Sequence, residues 1–298
     1  MLIATVAVLA ALLGLIHWGL HRSLRAPREP ETSDPASFAL PFETVRIPTL
    51  RGRSLFGWLI LADGAAPSPA VIVLHGWGGN AGMMLPLAPP LHAGGYSVLL
   101  IDARNHGNSD ADSFSSMPRF AEDLEAAFAW LASRPRIEAA RIAVLGHSVG
   151  AAAALLAASR EPRIAAVVSI AAFAHPREMM QRWLAQRRIP FVPLGWYVLR
   201  YVQWIIGYRF DDIAPVNSAT RLRCPLLLIH GEQDQTVPLG DARRILDAVA
   251  AANAELMLVP GRHDELAALD HHYEALLRFL DDAMRAPRAN VEARPGLD

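Results

Sequence analysis

The fold of this chain is indicated by one stretch, Ile142-Ala143-Val144-Leu145-Gly146-His147-Ser148-Val149-Gly150-Ala151-Ala152-Ala153-Ala154-Leu155-Leu156. Four apolar residues are typical of a short buried strand, Gly-His-Ser-Val-Gly of a turn, and the alanine-rich run of a helix start. Glycines two positions before and after a serine let the strand and the helix pack closely. The pattern predicts that the Ser148 hydroxyl is exposed on a strained turn, although a glycine-lined turn with a solvated serine has the same pattern.

Short apolar runs recur on both sides of this stretch, and most lack polar alternation, as is typical of parallel strands that are covered on both faces. The predicted strands cover residues 42–47, 54–61, 70–74, 96–101, 142–145, 164–170, 225–229 and 256–259. The predicted helices cover residues 81–93, 117–133, 149–160, 239–252 and 271–285. The first two strands flank a turn at 49–53 and predict an antiparallel hairpin at a sheet edge. The alternation of strands and helices favours an α/β fold with a doubly wound, mostly parallel sheet.

A serine hydroxyl is a weak nucleophile at neutral pH and needs a general base, which in turn needs a carboxylate to orient it. The loop after the predicted strand 225–229 offers Asp234, and the loop after 256–259 offers His263. Their order along the chain, with Ser148 first, is the order of nucleophile, acid and base in α/β-hydrolases. The alternatives for the acid are Glu232 and Asp264, and His75, His147 and His230 are interpreted as structural side chains.

The chain resembles the serine hydrolases of the α/β-hydrolase superfamily over about residues 42–285. The resemblance rests on His75-Gly76-Trp77-Gly78-Gly79, Asp102-Ala103-Arg104-Asn105-His106-Gly107-Asn108-Ser109, Gly146-His147-Ser148-Val149-Gly150, His230-Gly231-Glu232-Gln233-Asp234-Gln235-Thr236-Val237-Pro238 and Gly261-Arg262-His263. It implies that Ser148 attacks a carbonyl carbon, that His263 accepts the proton of Ser148 and that Asp234 orients His263. The oxyanion-hole N–H groups would belong to Val149 and Trp77, with Gly78 as the alternative to Trp77. The residues from Asp102 to His106 are interpreted as a cluster that fixes a loop.

A segment of about 50 residues between the predicted strands 164–170 and 225–229 fits no simple crossover. It is rich in aromatic residues, which include Trp183, Phe191, Trp196, Tyr197, Tyr201, Trp204, Tyr208 and Phe210. We interpret residues 173–222 as a helical cap whose aromatic side chains line an apolar substrate pocket. Contact with a membrane surface and plain core packing are the alternatives.

Residues 1–21 contain no Lys, Arg, Asp or Glu. About 20 apolar residues span roughly 30 Å as a helix, which matches a bilayer core, so this stretch predicts a transmembrane anchor. Arg22, Arg25 and Arg28 follow it, and the positive-inside rule then places the main domain in the cytoplasm. A cleaved signal peptide and a helix packed on the domain are the alternatives. A linker over 22–41 and a disordered tail over 286–298 complete the predicted organisation.

Composition limits the function classes. The 298 residues suffice for one large α/β domain. The 28 Lys and Arg residues are balanced by 29 Asp and Glu residues, so the chain has no net positive charge that would attract nucleic acid. The single cysteine, Cys224, excludes an intramolecular disulfide and a cysteine metal cluster. No metal or cofactor is expected, because we find no helical His pair at i, i+4 and no dinucleotide-binding glycine pattern.

The sequence therefore predicts a membrane-anchored serine hydrolase that cleaves a carboxylic ester, with a lipophilic acyl group, through an acyl-enzyme on Ser148. The expected partners are a small-molecule or lipid-like acyl substrate and the membrane. A peptidase or amidase, a thioesterase or an acyltransferase could use the same residues. A non-catalytic ligand-binding protein with this fold is the alternative from another class.

Overall fold

The computed structural model describes residues 2–249 and 254–285. The strands are β1 (Glu43–Thr49), β2 (Arg53–Ile60), β3 (Ser68–Leu74), β4 (Ser97–Ile101), β5 (Ile137–His147), β6 (Val167–Ile170), β7 (Leu226–Gly231) and β8 (Ala254–Val259). The α-helices are α1 (Leu2–Ser23), α2 (Ala88–Ala93), α3 (Met117–Ala132), α4 (Val149–Arg160), α5 (Pro176–Gln186), α6 (Trp196–Ile206), α7 (Phe210–Ile213), α8 (Pro215–Ala219), α9 (Leu239–Ala248) and α10 (Tyr273–Arg285). Tighter 3₁₀ turns cover Pro35–Phe38, Leu50–Gly52, Ala81–Leu87 and Leu266–Leu269. The predicted disordered tail, 286–298, lies outside the described residues.

The strands form one sheet in the order β1-β2-β4-β3-β5-β6-β7-β8. β1 pairs antiparallel with β2, and β2 pairs antiparallel with β4. Every other neighbouring pair is parallel, as in the register that places Leu74 beside Gly146. The predicted mostly parallel α/β sheet, with its antiparallel edge hairpin, is confirmed.

The central strands are apolar on both faces because the sheet separates two cores. Along β3, Ile72 and Leu74 pack into one core with side chains of α3 and α4, whereas Val71 and Val73 pack into the other with α2 and α10. This explains why the sequence of β3 shows no polar alternation. The carboxyl ends of parallel strands lie at one edge of a sheet, so the loops that follow β3, β5, β7 and β8 meet there.

The N-terminal segment differs from its prediction. Within the described residues, no helix combines the length and the apolar character that crossing a membrane requires. The predicted transmembrane anchor over residues 1–21, and with it a single-pass membrane protein, is therefore wrong. The orientation inferred from the arginines that follow has no basis without the anchor.

The end of α1 contacts protein. The ring of His17 packs edge-on against Tyr197 and Tyr201 of α6, and its Nε2 lies 2.7 Å from the Tyr197 hydroxyl. Leu20 packs against the core beside α3 and α4. An apolar run of this length has the same composition whether it faces lipid or other helices, so its sequence alone favoured the wrong alternative.

The segment predicted as a linker, residues 22–41, has little regular structure and runs along the domain. The Leu24 carbonyl accepts a hydrogen bond from the Ser115 N–H (2.8 Å), and the Glu29 carbonyl accepts one from the Asn80 amide (3.0 Å). The Arg28 guanidinium donates to the Gly107 carbonyl at 2.6 Å. These contacts hold the segment against the loops that follow β3 and β4.

A buried ionic cluster fixes the loop after β4. Arg104 is 1% exposed and lies 2.6 Å from carboxylate oxygens of both Glu122 and Asp123, which belong to α3, and 3.3 Å from Asp112. Burial raises the pKa of Asp123 to about 6, even though Arg104 acts in the opposite direction. The predicted loop-fixing role of Arg104 thus corresponds to ion pairs with α3.

Replacing Arg104 by Ala is expected to lower the free energy of unfolding by about 3–5 kcal/mol, because it leaves buried carboxylates without a counter-charge. Chemical denaturation measures this loss. The matched control is Arg285→Ala, since Arg285 is exposed and forms one ion pair, with Asp281 at 2.9 Å. That variant should lose about 1 kcal/mol at most. Equal losses in the two variants would contradict the structural role of Arg104.

Candidate active site

Ser148 lies between the last residue of β5 and the first residue of α4, with φ of 53° and ψ of −114°. This left-handed conformation costs a residue with a side chain roughly 1–3 kcal/mol, and such strain is characteristic of functional turns. The Ser148 N–H donates to the Ile170 carbonyl at the end of β6 (2.8 Å). The turn is thereby held at the carboxyl edge of the sheet.

Two glycines make the turn possible. A Cβ at Gly146 would lie 2.6 Å from the Ala151 nitrogen, so β5 and α4 can approach this closely only without a side chain there. A Cβ at Gly150 would lie 2.7 Å from the Leu74 carbonyl oxygen, so α4 also packs directly on the end of β3. The Gly-x-Ser-x-Gly spacing is thus explained by backbone contacts on both sides of Ser148.

Asp234 lies in the loop after β7, where its carboxylate is completely buried. Its Oδ1 accepts hydrogen bonds from the N–H groups of Thr236 and Val237, each at 2.8 Å. Burial alone would raise the pKa of Asp234, but the hydrogen bonds from His263 and from these N–H groups outweigh it and lower the pKa below its ordinary value. The side chain is therefore a carboxylate that can only accept hydrogen bonds.

His263 lies in the loop after β8 and connects the other two side chains. Its Nδ1 is 2.7 Å from Oδ2 of Asp234, and its Nε2 is 2.9 Å from Oγ of Ser148. Because the carboxylate cannot donate, Nδ1 carries the hydrogen and Nε2 is left as the acceptor for the serine hydroxyl. The structure thus brings Ser148, His263 and Asp234 together in one hydrogen-bonded row.

The loop after β3 packs against the serine. A Cβ at Gly76 would lie 3.2 Å from the Ser148 Cβ, which places the next residue, Trp77, beside the turn. Val149 is the first residue of α4, so its N–H has no partner within the helix. Within the described residues, no backbone acceptor contacts the N–H of Val149, Trp77 or Gly78. The assignment of Val149 and Trp77 to an oxyanion hole stays a prediction, with Gly78 as the alternative.

Two buried histidines hold the loop that follows β3. Nε2 of His75 accepts a hydrogen bond from the Ala103 N–H (3.1 Å), and Nδ1 of His106 contacts the Arg104 carbonyl (3.0 Å). Burial lowers the pKa of His75 to about 3 and that of His106 to about 4. The His106 ring contacts both His75 and Trp77. Both side chains are therefore neutral and structural, as the sequence predicts for His75.

The other acids and histidines near the row make different contacts. The Asp264 side chain is 85% exposed, and its Oδ1 lies 3.9 Å from Nε2 of His147. Glu232 is exposed, and His230 is buried with its Nε2 2.9 Å from the Val237 carbonyl. His230 therefore supports the backbone of the loop that carries Asp234.

His147, His263 and Asp264 are close enough together for a metal ion, with one candidate ligand atom on each lying within 4.8 Å of the others. However, the Nε2 atoms of both histidines are already hydrogen-bonded, one to a carbonyl and one to Ser148. Asp264 is largely in water. The arrangement thus fits a hydrogen-bonded row better than a metal centre.

A cavity of about 380 Å³ opens beside His263, and the residues that line it are of polar and charged types. The lining residues are Gln233, Gln235, Thr236, Arg262, His263, Asp264 and Glu265. None of the aromatic side chains of the predicted cap lines this cavity. Tyr197 and Tyr201 instead contact α1, and Trp204 is 74% exposed. This cavity is therefore not the apolar, aromatic pocket that the sequence predicted, and that pocket stays a prediction.

Sequence reasoning missed one contact at the site. His147, interpreted from the sequence as a packing residue, has its Nε2 2.8 Å from the carbonyl oxygen of His263. Its position directly before Ser148 was the available signal, but nothing in the sequence indicates which loop the side chain meets.

Comparisons with known proteins show which proteins the chain is similar to. A family model described as serine aminopeptidase, S33, matches residues 65–206. Uncharacterized protein Rv2307c of Mycobacterium tuberculosis is 31% identical over 286 residues, which cover 94% of each chain. A monoacylglycerol lipase of Mycolicibacterium smegmatis is 24% identical over 67% of this chain and 82% of the lipase. Among solved structures, an esterase of Pyrococcus furiosus has a TM-score of 0.73 at 23% identity, covering 87% of this chain and 97% of the esterase.

Proposed function

Because the chain belongs to the α/β-hydrolase superfamily and resembles its esterases and lipases, we propose that it is a serine hydrolase that cleaves carboxylic esters through an acyl-enzyme on Ser148. The observation that carries the proposal is the hydrogen-bonded row from Ser148 Oγ through His263 to Asp234, with distances of 2.9 and 2.7 Å. A serine hydroxyl that is hydrogen-bonded to an imidazole, whose other nitrogen contacts a buried carboxylate, is the arrangement that acyl transfer requires.

The first half of the reaction forms the acyl-enzyme. Ser148 Oγ bonds to the ester carbonyl carbon while its proton passes to His263 Nε2, and the carbonyl oxygen becomes an oxyanion. The N–H groups of Val149 and Trp77 would donate to that oxyanion. Collapse of the intermediate breaks the bond to the alcohol oxygen, which leaves with the proton from His263. Asp234 stabilises the positive charge that His263 carries between these two transfers.

The second half releases the acid. A water molecule gives its proton to His263 Nε2 and bonds to the acyl carbon, and the Ser148 oxygen then leaves and takes the proton back. The free carboxylic acid and the original serine are regenerated. An alcohol in place of water would give acyl transfer with the same proton movements.

The surroundings of the row suggest which part of the ester lies where. The leaving alcohol must approach His263 Nε2 to be protonated, and the cavity beside His263 is lined by residues that can form hydrogen bonds, such as Gln233 and Thr236. The Trp77 ring, 40% exposed, belongs to the loop on the other side of Ser148, where Met83 is also exposed. We therefore propose a substrate with a lipophilic acyl chain beside Trp77 and a polar alcohol portion in the cavity.

Labelling the full chain with a fluorophosphonate tests the proposed mechanism. The expected result is covalent modification of the peptide that contains Ser148, with a parallel loss of hydrolysis of p-nitrophenyl butyrate. The neighbouring hydroxyl of Ser159, on α4, donates to the Leu156 carbonyl and should stay unlabelled. A chain that hydrolyses no ester and takes up no label would be the non-catalytic binding protein instead.

The substrate proposal predicts a preference that is measurable with two ester series. Lengthening the acyl chain of p-nitrophenyl esters should raise kcat/KM, and a glycerol ester should exceed the ethyl ester of the same acid by about tenfold, the equivalent of one or two hydrogen bonds. Equal values for glycerol and ethyl esters would contradict a role of the polar cavity. Faster cleavage of anilides or thioesters than of matched esters would assign the site to a different acyl substrate.

A further inference from the structure

His147 connects the nucleophile turn to the loop that carries the base. It is the last residue of β5, and its Nε2–H donates to the main-chain carbonyl of His263 at 2.8 Å. The two imidazole rings lie 5.1 Å apart between centroids. Nδ1 of His147 faces the loop after β3, since a Cβ at Gly76 would lie 3.1 Å from it. One buried ring thus joins the nucleophile turn to the loops that follow β3 and β8.

The loop that carries His263 has few other constraints at that residue. Residues 260–265 contain no helix or strand. In the described part of the chain, no other hydrogen bond involves the main chain of His263. The Gly261 N–H donates to the Gln233 side chain, and the Arg262 N–H donates to the Glu265 carboxylate. A turn bond from the Glu265 N–H to the Arg262 carbonyl, at 3.4 Å, spans His263 without reaching its main chain. His147 therefore supplies the hydrogen bond that reaches the His263 main chain directly.

We propose that His147 is a positioning residue that holds His263 Nε2 within hydrogen-bond distance of Ser148 by anchoring the His263 carbonyl. The inference rests on the proposed function, because it concerns the base of that reaction. A shift of about 1 Å in a reacting group can cost about 100-fold in rate, so one anchoring hydrogen bond at the base is enough to matter.

The charge state of His147 is compatible with this role. Burial lowers the pKa of His147 and outweighs the contact with the His263 carbonyl, so the ring is neutral at pH 7. A neutral ring does not oppose the positive charge that forms on His263 during the reaction. A lysine or arginine could donate to the same carbonyl, but its charge would disfavour the protonated base.

Substitutions that keep or remove the donor test the proposal. Gln can place its amide N–H₂ near the position of the His147 Nε2, whereas Asn is one methylene shorter. His147→Asn is expected to lower kcat for p-nitrophenyl butyrate by about 10-fold to 100-fold with KM within about twofold, and His147→Gln to recover most of the loss. The rate of fluorophosphonate labelling at Ser148 should fall and recover in parallel. His147→Leu supplies a variant with no donor at all if the Asn variant, whose donor is too short to reach the carbonyl, does not fold.

The matched control is His92→Asn. His92 lies in α2 and contacts the Leu61 carbonyl at 3.1 Å, the same type of bond at a place away from the site. This variant should lose thermal stability and keep the wild-type kcat. Equal kcat values for folded donor and non-donor variants at position 147 would overturn the role of His147, and so would a loss that Gln does not recover. Failure of the wild-type Ser148 to label would instead reject the proposed function itself.

Discussion

Replacing Ser148 by Ala is expected to reduce kcat for ester hydrolysis by about 10⁶-fold, as loss of the nucleophile does in serine hydrolases of other folds. The variant keeps His263 and the N–H groups of Val149 and Trp77, which we propose as the oxyanion hole, so a small residual rate above that in water should persist. The measurement is the hydrolysis of p-nitrophenyl butyrate at pH 7.5, with the folded state checked by circular dichroism. Fluorophosphonate labelling of this variant should be absent.

Ser159→Ala is the matched control for that experiment, since it removes a hydroxyl from α4 without touching the row. Its kcat should equal that of the wild type. A Ser148→Ala variant that retained more than about 1% of wild-type activity would contradict covalent catalysis, because no other route in such sites approaches that rate. A low-level rate that a fluorophosphonate does inhibit would point to a contaminating serine hydrolase, because the variant itself has no serine at position 148 to label.

The sheet and the positions of the three side chains of the row follow from local sequence patterns. The eight apolar runs predicted as strands correspond to β1–β8, because the central runs are buried on both faces and the outer runs pair at the two sheet edges. Polar residues directly after β5, β7 and β8 must lie at one edge of a parallel sheet. The juxtaposition of Ser148, Asp234 and His263 was therefore predictable, although their hydrogen bonds were not.

What packs against an apolar surface could not be predicted in the same way. Residues 1–21 and the aromatic residues of α6 are both apolar, and the structure packs the end of α1 on α6 through His17, Tyr197 and Tyr201. An apolar composition indicates that such a surface is buried, but it does not indicate whether protein, ligand or lipid buries it. The transmembrane anchor and the aromatic pocket were both inferred from apolar composition alone.

Single contacts between distant loops were equally inaccessible. The bond from His147 to the His263 carbonyl joins residues 116 positions apart in the chain. Arg28 similarly reaches the Gly107 carbonyl, 79 positions away. No periodicity or motif encodes such pairs, because they depend on the conformation of irregular loops.

Asp234→Asn is expected to lower kcat by about 10⁴-fold, because it fixes His263 in the wrong tautomer. The N–H groups of Thr236 and Val237 both point at Oδ1 and so select the amide oxygen of Asn for that position. The amide N–H₂ then faces His263 Nδ1, which can pair with it only as an acceptor. The imidazole hydrogen moves to Nε2, and Nε2 can no longer accept the proton of Ser148.

The kcat of p-nitrophenyl butyrate hydrolysis measures this loss, and Glu232→Gln is the matched control. Glu232 is an exposed acid of the same loop, so its amide variant should keep the wild-type kcat. Asp234→Ala adds a further distinction: it supplies no amide donor, so it leaves His263 free to adopt either tautomer and should be no slower than the Asn variant. If the Asn variant were instead as active as the wild type, Asp234 would not be the residue that orients His263. The buried carboxylate would then serve only to hold its own loop through Thr236 and Val237.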